Sequence, residues 1–241
     1  MSTQRVRPIE QYFPTEPWLE QYRRAINEND DYADRSEGWG VDFDGSFVFQ
    51  IKDVPLETTT LAGLPPEIVD AIEDELSDRS ADAIEPIVEA APADVRERID
   101  AREGALEDRL TAELCRTTIA DLPARTWPEL LTAGPDILED LTGQAAANVV
   151  DGTIYSYLDL YDGECRGVEV LTEPDEHEYG FRLAGEYETW TKLVRGDGGI
   201  VDMLMAGELE LDGDIQRLLQ YSDAAVGLAD VAAAVDSRFL F

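Results

Sequence analysis

Apolar residues alternate with polar ones in five short windows and recur at helical spacing across most of the remaining chain. The two periods succeed one another most clearly between Tyr179 and Leu219. Tyr179, Phe181 and Leu183 alternate with Gly180 and Arg182, which predicts a strand over 178–184 ended by Gly185. Tyr187, Trp190 and Val194 then fall on one helical face, and Gly196 stops that helix. Val201, Leu204 and Met205 mark a second helix, stopped by Gly207. Leu209 and Leu211 alternate with Glu208, Glu210 and Asp212, predicting a short strand over 208–212. Gly213 breaks it, Asp214 is placed as an N-cap, and Ile215, Leu218 and Leu219 open another helix.

Upstream, residues 1–14 read as an irregular arm. Thr15 and Pro17 signal a helix start, because proline fits a first turn whose N–H has no helical partner. Trp18, Tyr22, Ala25 and Ile26 form its apolar stripe to about Asn29. A polar connection follows, anchored by Tyr32 and Trp39, then a turn at Asp44-Gly45 and a first strand over 47–52. From about Gly63 to Val150 the pattern is helical. Ile68, Ile72 and Leu76 mark one helix, and Ile84, Ile87, Val88 and Ala91 a short second. Val95, Ile99, Leu106, Leu110 and Leu114 predict a single longer third, before two short pieces punctuated by Gly134-Pro135 and Gly143. Strands return over 153–161 and 164–172, joined at Asp162-Gly163 as a hairpin. Residues 222–235 predict a small-residue helix, and the apolar tail Arg238–Phe241 is expected to dock. The chain shows neither an internal repeat nor a low-complexity segment.

Charge changes the picture of the surface. The net charge is -34, with two lysines, Lys52 and Lys192, against seventeen arginines. Acidic residues are spread evenly: 55–150 holds 22 against seven basic ones, close to its proportional share. An acidic patch for a basic partner would cluster, so the acidity reads as halophilic adaptation of the whole surface to a salt-rich cytoplasm, where screening removes self-repulsion. Without a basic stripe the chain is no candidate for nucleic acid or an anionic membrane surface. Cys115 and Cys165 lie in no metal-like or redox-like spacing and read as buried free thiols. Neither a leader-like start nor an apolar run of membrane-spanning length is present, so a soluble cytoplasmic protein is expected.

Candidate chemistry is sparse. The single histidine, His177, lies in an acidic turn and reads as solvated, which leaves no Ser-His-Asp or multi-histidine arrangement. There is no nucleophile elbow or phosphate-loop lysine motif, and Gly196–Gly199 reads as a helix break. Asp159 with Asp162, and Asp212 with Asp214, are candidate carboxylate pairs, but 53 acids make chance pairing certain. Asp42 and Asp44 are too few for a calcium loop. No catalytic residue, metal site or cofactor is therefore assigned. What remains is Trp190, Val201, Met203, Leu204, Met205, Leu209 and Leu211, within 22 residues. They form either a plain packed core or an adaptable apolar pocket, for which methionine is suited.

Several of these residues carry a resemblance. The pattern G-x-Y-x-x-W-x-K-L at Gly185, Tyr187, Trp190, Lys192 and Leu193 is followed by L-M-x-G-x-L-x-L-x-G-D from Leu204 to Asp214. Together they resemble the C-terminal half of the sterol carrier protein type-two (SCP-2 sterol-transfer) family, especially its prokaryotic stand-alone members. Glu208 stands where that family has a lysine. Residues 157–168 look like the family's central hairpin, and Trp18, Tyr22, Ile26 and Asn27 like its opening helix. The resemblance spans 15–52 and 152–228, and the helical block is a departure from it. It implies an α+β fold: a mostly antiparallel five-stranded sheet covered by helices, with an apolar tunnel that binds lipids without catalysis. The strand windows in the sequence are also five. The implied domains are a discontinuous lipid-binding domain, 15–52 and 152–241, and an all-helical insertion, 55–150, acting as a lid or mouth.

The leading expectation is thus non-enzymatic lipid transport or buffering of a lipid, isoprenoid or fatty-acyl ligand in a hydrophobic cavity. Phe181, Leu183, Trp190, Val201, Leu204, Met205, Leu209 and Leu211 are its candidate lining. The alternative is a structural module with a filled core, whose helical insertion presents a surface for a homodimer or another partner. A third is an enzyme using a carboxylate beside the pocket, which requires one with a strongly raised pKa.

Overall fold

The computed structural model describes residues 9–134 and 136–241. In chain order these form β1 (Tyr12–Phe13), α1 (Glu16–Asn27), α2 (Asp30–Arg35) and β2 (Phe47–Lys52). Seven helices follow: α3 (Pro66–Ser77), α4 (Ala81–Ala90), α5 (Ala93–Asp100), α6 (Leu106–Leu114), α7 (Leu122–Arg125), α8 (Pro128–Ala133) and α9 (Asp136–Asn148). Then come β3 (Ile154–Tyr161), β4 (Glu164–Leu171), β5 (Phe181–Glu186), α10 (Tyr187–Arg195), α11 (Ile200–Ala206), β6 (Leu209–Gly213), α12 (Ile215–Gln220), α13 (Ser222–Ala234) and β7 (Arg238–Phe239). Of the expected N-terminal arm, 1–8 lie outside the described residues, as does Pro135.

The chain divides into two compact units. One comprises Ile9–Val54 with Asn148–Phe239. Its five-stranded sheet runs β4-β3-β2-β5-β6, antiparallel throughout except for β2 beside β5, where Phe47 pairs with Phe181. The expected α+β class is therefore what the chain adopts. Local chemistry sets the boundaries. Thr15 caps α1 by accepting from the Trp18 N–H at 3.3 Å, and Asp214 caps α12 by accepting from the N–H groups of Gln216 and Arg217 at 3.0 and 3.1 Å. The β3–β4 turn holds Asp162 and Gly163 at φ 48 and 85, the left-handed pair that a two-residue hairpin needs. Pairing shifts within the hairpin between Asp159 and Leu160, leaving Arg166 as the extra residue. The tail does dock: β7 pairs in parallel with β1, and the Arg195 guanidinium sits 4.2 Å over the Phe239 ring.

Four expectations are corrected. The strand expected over 178–184 begins at Phe181 and runs through Gly185 to Glu186. A Cβ at Gly185 would lie 2.6 Å from Leu209 Cδ2, so this glycine admits β6 to the sheet rather than ending β5. The polar run after Asn29 contains a short helix, α2, capped by the Asn29 side chain and pinned by buried Tyr32. The single third helix of the helical block is two, α5 and α6, parted at 101–105. Of the two thiols expected to be buried, Cys165 is, whereas Cys115 is only half-buried.

The other unit comprises Pro55–Ala147, with Leu240–Phe241 among the described residues. Here α6 packs against α3, α4 and α5, and Ile68, Ile72, Leu76, Ile84, Ile99, Leu110 and Leu114 are fully enclosed. Buried Trp127 donates its Nε1–H to the Ile87 carbonyl at 2.8 Å. On α6, Glu113 is buried and bonded by Arg98 and by Arg102, the latter at 2.7 Å. Burial pushes the Glu113 carboxyl up, but the bonds from Arg102 and Arg98 outweigh it and hold it below the usual glutamate value. A carboxyl lowered in the folded state adds stability above the unfolded pKa and loses it as pH falls through the folded one. Glu113→Gln is therefore expected to cost about 1–2 kcal/mol at neutral pH, discounted for the partial exposure of both arginines. In urea melts the gap between the two proteins should close as pH falls from 7 to 3. A gap that is constant with pH would contradict the charge account.

Candidate functional site

Within the sheet-bearing unit, one face of the sheet and the helices covering it enclose an apolar cavity of about 50 Å³. Strand periodicity supplies its roof: Phe47, Phe49 and Ile51 of β2, Ser156 of β3, Leu183 of β5 and Leu211 of β6. Helical periodicity supplies the rest. Trp18, Leu19 and Tyr22 come from α1, and Trp190, Leu193 and Val194 from α10. Ile200 and Leu204 come from α11, Leu218 from α12, and Ala225, Leu228, Ala229 and Ala232 from α13. Phe13, Pro14 and Thr15 close one end.

Apart from the Ser156 hydroxyl, the polar side-chain groups on this wall are tied to the protein. The Tyr22 hydroxyl donates to the Leu228 carbonyl at 2.7 Å, and Thr15 Oγ1 donates to the Tyr12 carbonyl at 2.7 Å. Trp18 Nε1 donates to Ser237 Oγ at 2.9 Å, and Trp190 Nε1 to the Gln50 carbonyl at 3.2 Å. Burial, then the nearby Tyr32 and Cys165, push the Tyr22 phenol well above its ordinary pKa, so it stays a neutral donor. Burial also pushes the Cys165 thiol up to about 12, which leaves it without thiolate character. The cavity surface is consequently mostly carbon, with aromatic rings in mutual contact: Phe49 to Trp190 at 5.1 Å and Trp18 to Tyr22 at 5.4 Å.

Of the eight residues singled out in the sequence, Leu183, Trp190, Leu204 and Leu211 line this cavity. Leu209 is buried against Gly185, outside the lining. Phe181 is buried in a separate aromatic cluster, 5.1 Å from Trp39, 5.2 Å from Phe47 and 6.1 Å from Phe43. Val201 and Met205 face solvent at 49% and 85% exposure. Helical geometry explains the last pair. Ile200 and Leu204 are one turn apart and point inward, so Val201 and Met205, one step further on, are rotated by about 100°. Ile215 and Leu219 on α12 are also exposed, so four of the six large apolar side chains exposed among the described residues fall within 201–219. They flank the side where Ile200, Leu204, Leu211, Ala225 and Ala229 are only half-covered, which marks the mouth.

The candidate carboxylates are engaged elsewhere. Asp159 pairs with Arg166 at 3.0 Å and Asp212 with Arg182 at 3.1 Å. Asp162 accepts from the Gly38 N–H at 2.8 Å. His177 Nε2 lies 2.9 Å from Glu169 Oε2, with its ring stacked on Tyr157. Partial burial, then Asp136 and Glu139, push the Asp140 carboxyl up, but Asp140 lies on α9 in the helical unit. Among the described residues no group of three or more His, Cys, Asp or Glu is arranged to hold a metal.

Residues 127–226 match the model of the SCP-2 sterol transfer family. The resemblance seen in the motifs between Gly185 and Asp214 is shown over that span. The matched segment carries β3 to α12, and with them Leu183, Trp190, Leu204, Leu211 and Leu218 of the cavity wall. It also takes in α8 and α9 of the helical block. No curated protein matches the chain. Among solved structures, the chain is similar to the crystal structure of sterol carrier protein 2, at 18% identity and a TM-score of 0.46, covering 92% of this chain and 97% of that one. It is also similar to the solution structure of a conserved hypothetical protein from Thermus thermophilus, at 19% identity and a TM-score of 0.49, covering 95% and 92%. Among the described residues no helix is long and apolar enough to cross a membrane.

Proposed function

We propose that the chain binds an apolar molecule, such as a lipid, isoprenoid or fatty-acyl chain, between its sheet and helices, and carries or buffers it without chemistry. The observation that supports this reading is the largely carbon-lined cavity, on whose wall Tyr22, Thr15, Trp18 and Trp190 turn their polar groups onto protein partners. The match to the SCP-2 sterol transfer family points the same way. In this reading 15–52 and 152–241 form the discontinuous carrier domain, and 55–150 is a helical insertion. The acidity supports a salt-rich cytoplasm as its setting.

A void of about 50 Å³ is smaller than the ~150 Å³ that admits benzene. Loading therefore requires α11 to move outward at the mouth. Magnitudes favour that movement for a long chain. Eight methylenes leaving water contribute roughly 6 kcal/mol, against about 3 kcal/mol for uncovering the half-buried Ile200 and Leu204. A short chain would not meet the cost.

The small void is also what favours the second reading, a structural module with a filled core. Titration with neutral, fluorescent Nile red, beside native mass spectrometry of the purified chain, separates the two. The carrier reading predicts saturable one-site binding and a lipid adduct on the intact mass. Non-saturable dye and a bare mass would leave only the structural module.

A further inference from the structure

We infer that the ligand is uncharged, a long-chain alcohol, ester, quinone or hydrocarbon, rather than a carboxylate or phosphate ester. This rests on the carrier reading above. Among the described residues lining the cavity none is Lys, Arg, His, Asp or Glu. Four of the five side-chain hydroxyls and indole N–H groups that an anionic head could seek are already spent on protein partners, Tyr22 on Leu228, Thr15 on Tyr12, Trp18 on Ser237 and Trp190 on Gln50, which leaves the Ser156 hydroxyl. A buried anion would therefore lose its water and gain one neutral hydroxyl at most, with no cation beside it, which is the costly case.

An anion that stayed at the mouth fares no better. On the strands that roof the cavity the cations lie on the opposite face of the sheet, Lys52 next to inward Ile51 and Arg182 next to inward Leu183, and pair there with Glu210 at 3.0 Å and Asp212 at 3.1 Å. The Arg217 guanidinium lies over the Phe43 ring at 5.2 Å. Beyond them the whole chain carries a charge of -34, whose field opposes the approach of a negative head wherever salt does not screen it. That screening length is ~10 Å at 0.1 M and ~3 Å at 1 M. Wall chemistry and surface charge thus select in the same direction, and the selection is strongest in dilute salt.

Competition against Nile red tests this on the full chain, with three twelve-carbon probes that differ only in the head: dodecanol, dodecanoate and dodecyltrimethylammonium. At pH 8 and ~0.1 M salt dodecanol is expected to displace the dye at least tenfold more tightly than dodecanoate. The ammonium separates charge preference from mere hydrophobicity and is expected to fall between them. Dodecanoate within tenfold of dodecanol, or tighter than the ammonium, overturns the inference and leaves the carrier reading standing. Failure of Nile red itself to bind saturably overturns the carrier reading instead.

Discussion

Gly180→Ala is expected to lower the melting temperature of the sheet-bearing unit by about 10 °C or more. A Cβ at Gly180 would fall on the backbone carbonyl of Asp44, well inside contact distance. A side chain in that place could rotate away, but this carbonyl cannot. Asp44 is fixed by its own carboxylate, which accepts from the Ser46 N–H at 2.9 Å and the Ser46 hydroxyl at 2.6 Å. Ser46 in turn accepts from the Gly180 N–H on its hydroxyl at 3.3 Å and from the Phe181 N–H on its carbonyl at 3.1 Å. These bonds join the starts of β2 and β5, the one parallel pair in the sheet. Separating them enough to seat a methyl disturbs the pairing of Phe47 with Phe181 and the aromatic cluster around Trp39. A steric insertion against rigid backbone costs about 3 kcal/mol or more. At this chain length each kcal/mol moves the midpoint by about 2–4 °C. Near-ultraviolet circular dichroism, which follows the aromatic cluster, reads the melt directly. Gly143→Ala is the control: it sits inside α9 with nothing within 4 Å of an added Cβ, and is expected to be neutral or stabilising by about 0.5–1 kcal/mol. A Gly180→Ala midpoint within 2 °C of the parent would remove the steric account.

How far the sequence disclosed this fold depended on which physical signal each element carried. The sheet strands were legible because β3 buries Ile154, Ser156, Leu158 and Leu160 and turns the residues between them outward. In β4 period two breaks at the register shift, where unpaired Arg166 separates Cys165 from Val168 and Val170 opposite the buried face of β3. Helix starts at Thr15 and Asp214 were legible because capping is a local bond between a side chain and an N–H two or three residues on. Gly185 misled, because a glycine required by a neighbouring strand looks the same in sequence as one that ends a strand. The break between α5 and α6 was hidden by apolar positions that kept helical spacing across it. For the site, period gave the class of residue but not its exact direction. Leu183 and Phe181 share a strand face, yet Trp39 and Phe43, from a polar stretch with no period, cover Phe181 and leave Leu183 to the cavity. Val201 and Met205 were placed on the inner face of α11, when seven residues at 100° each put Ile200 and Leu204 there instead. The contribution of α13 was least visible: alanines at 225, 229 and 232 share one face, but small side chains give little contrast against an alanine-rich background.

Those alanines make the most direct test of where a ligand sits. Ala229→Phe is expected to weaken Nile red binding about a hundredfold or more while changing the melting temperature by only a few degrees. Ala229 lines the cavity near its mouth and is half-exposed, so a larger ring has an outward path and need not strain the core. In the closed state the ring lies beside a void of about 50 Å³. When α11 moves, it occupies the space that the first methylenes of a ligand would take. Excluding four of them forfeits roughly 3 kcal/mol, which is a little over a hundredfold in affinity. Ala234→Phe, at the exposed end of the same helix, adds the same ring with no cavity beneath it and is expected to leave binding unchanged. The pair separates a blocked site from a general change in hydrophobicity. If both variants bind the dye like the parent, the ligand is not between the sheet and α13, and the cavity is the filled core of a structural module. If both lose binding equally, the ring acts through the surface. Only loss confined to Ala229→Phe agrees with a ligand held beneath Trp190 and Leu204, where aromatic rings face small side chains across a space that the closed chain nearly fills.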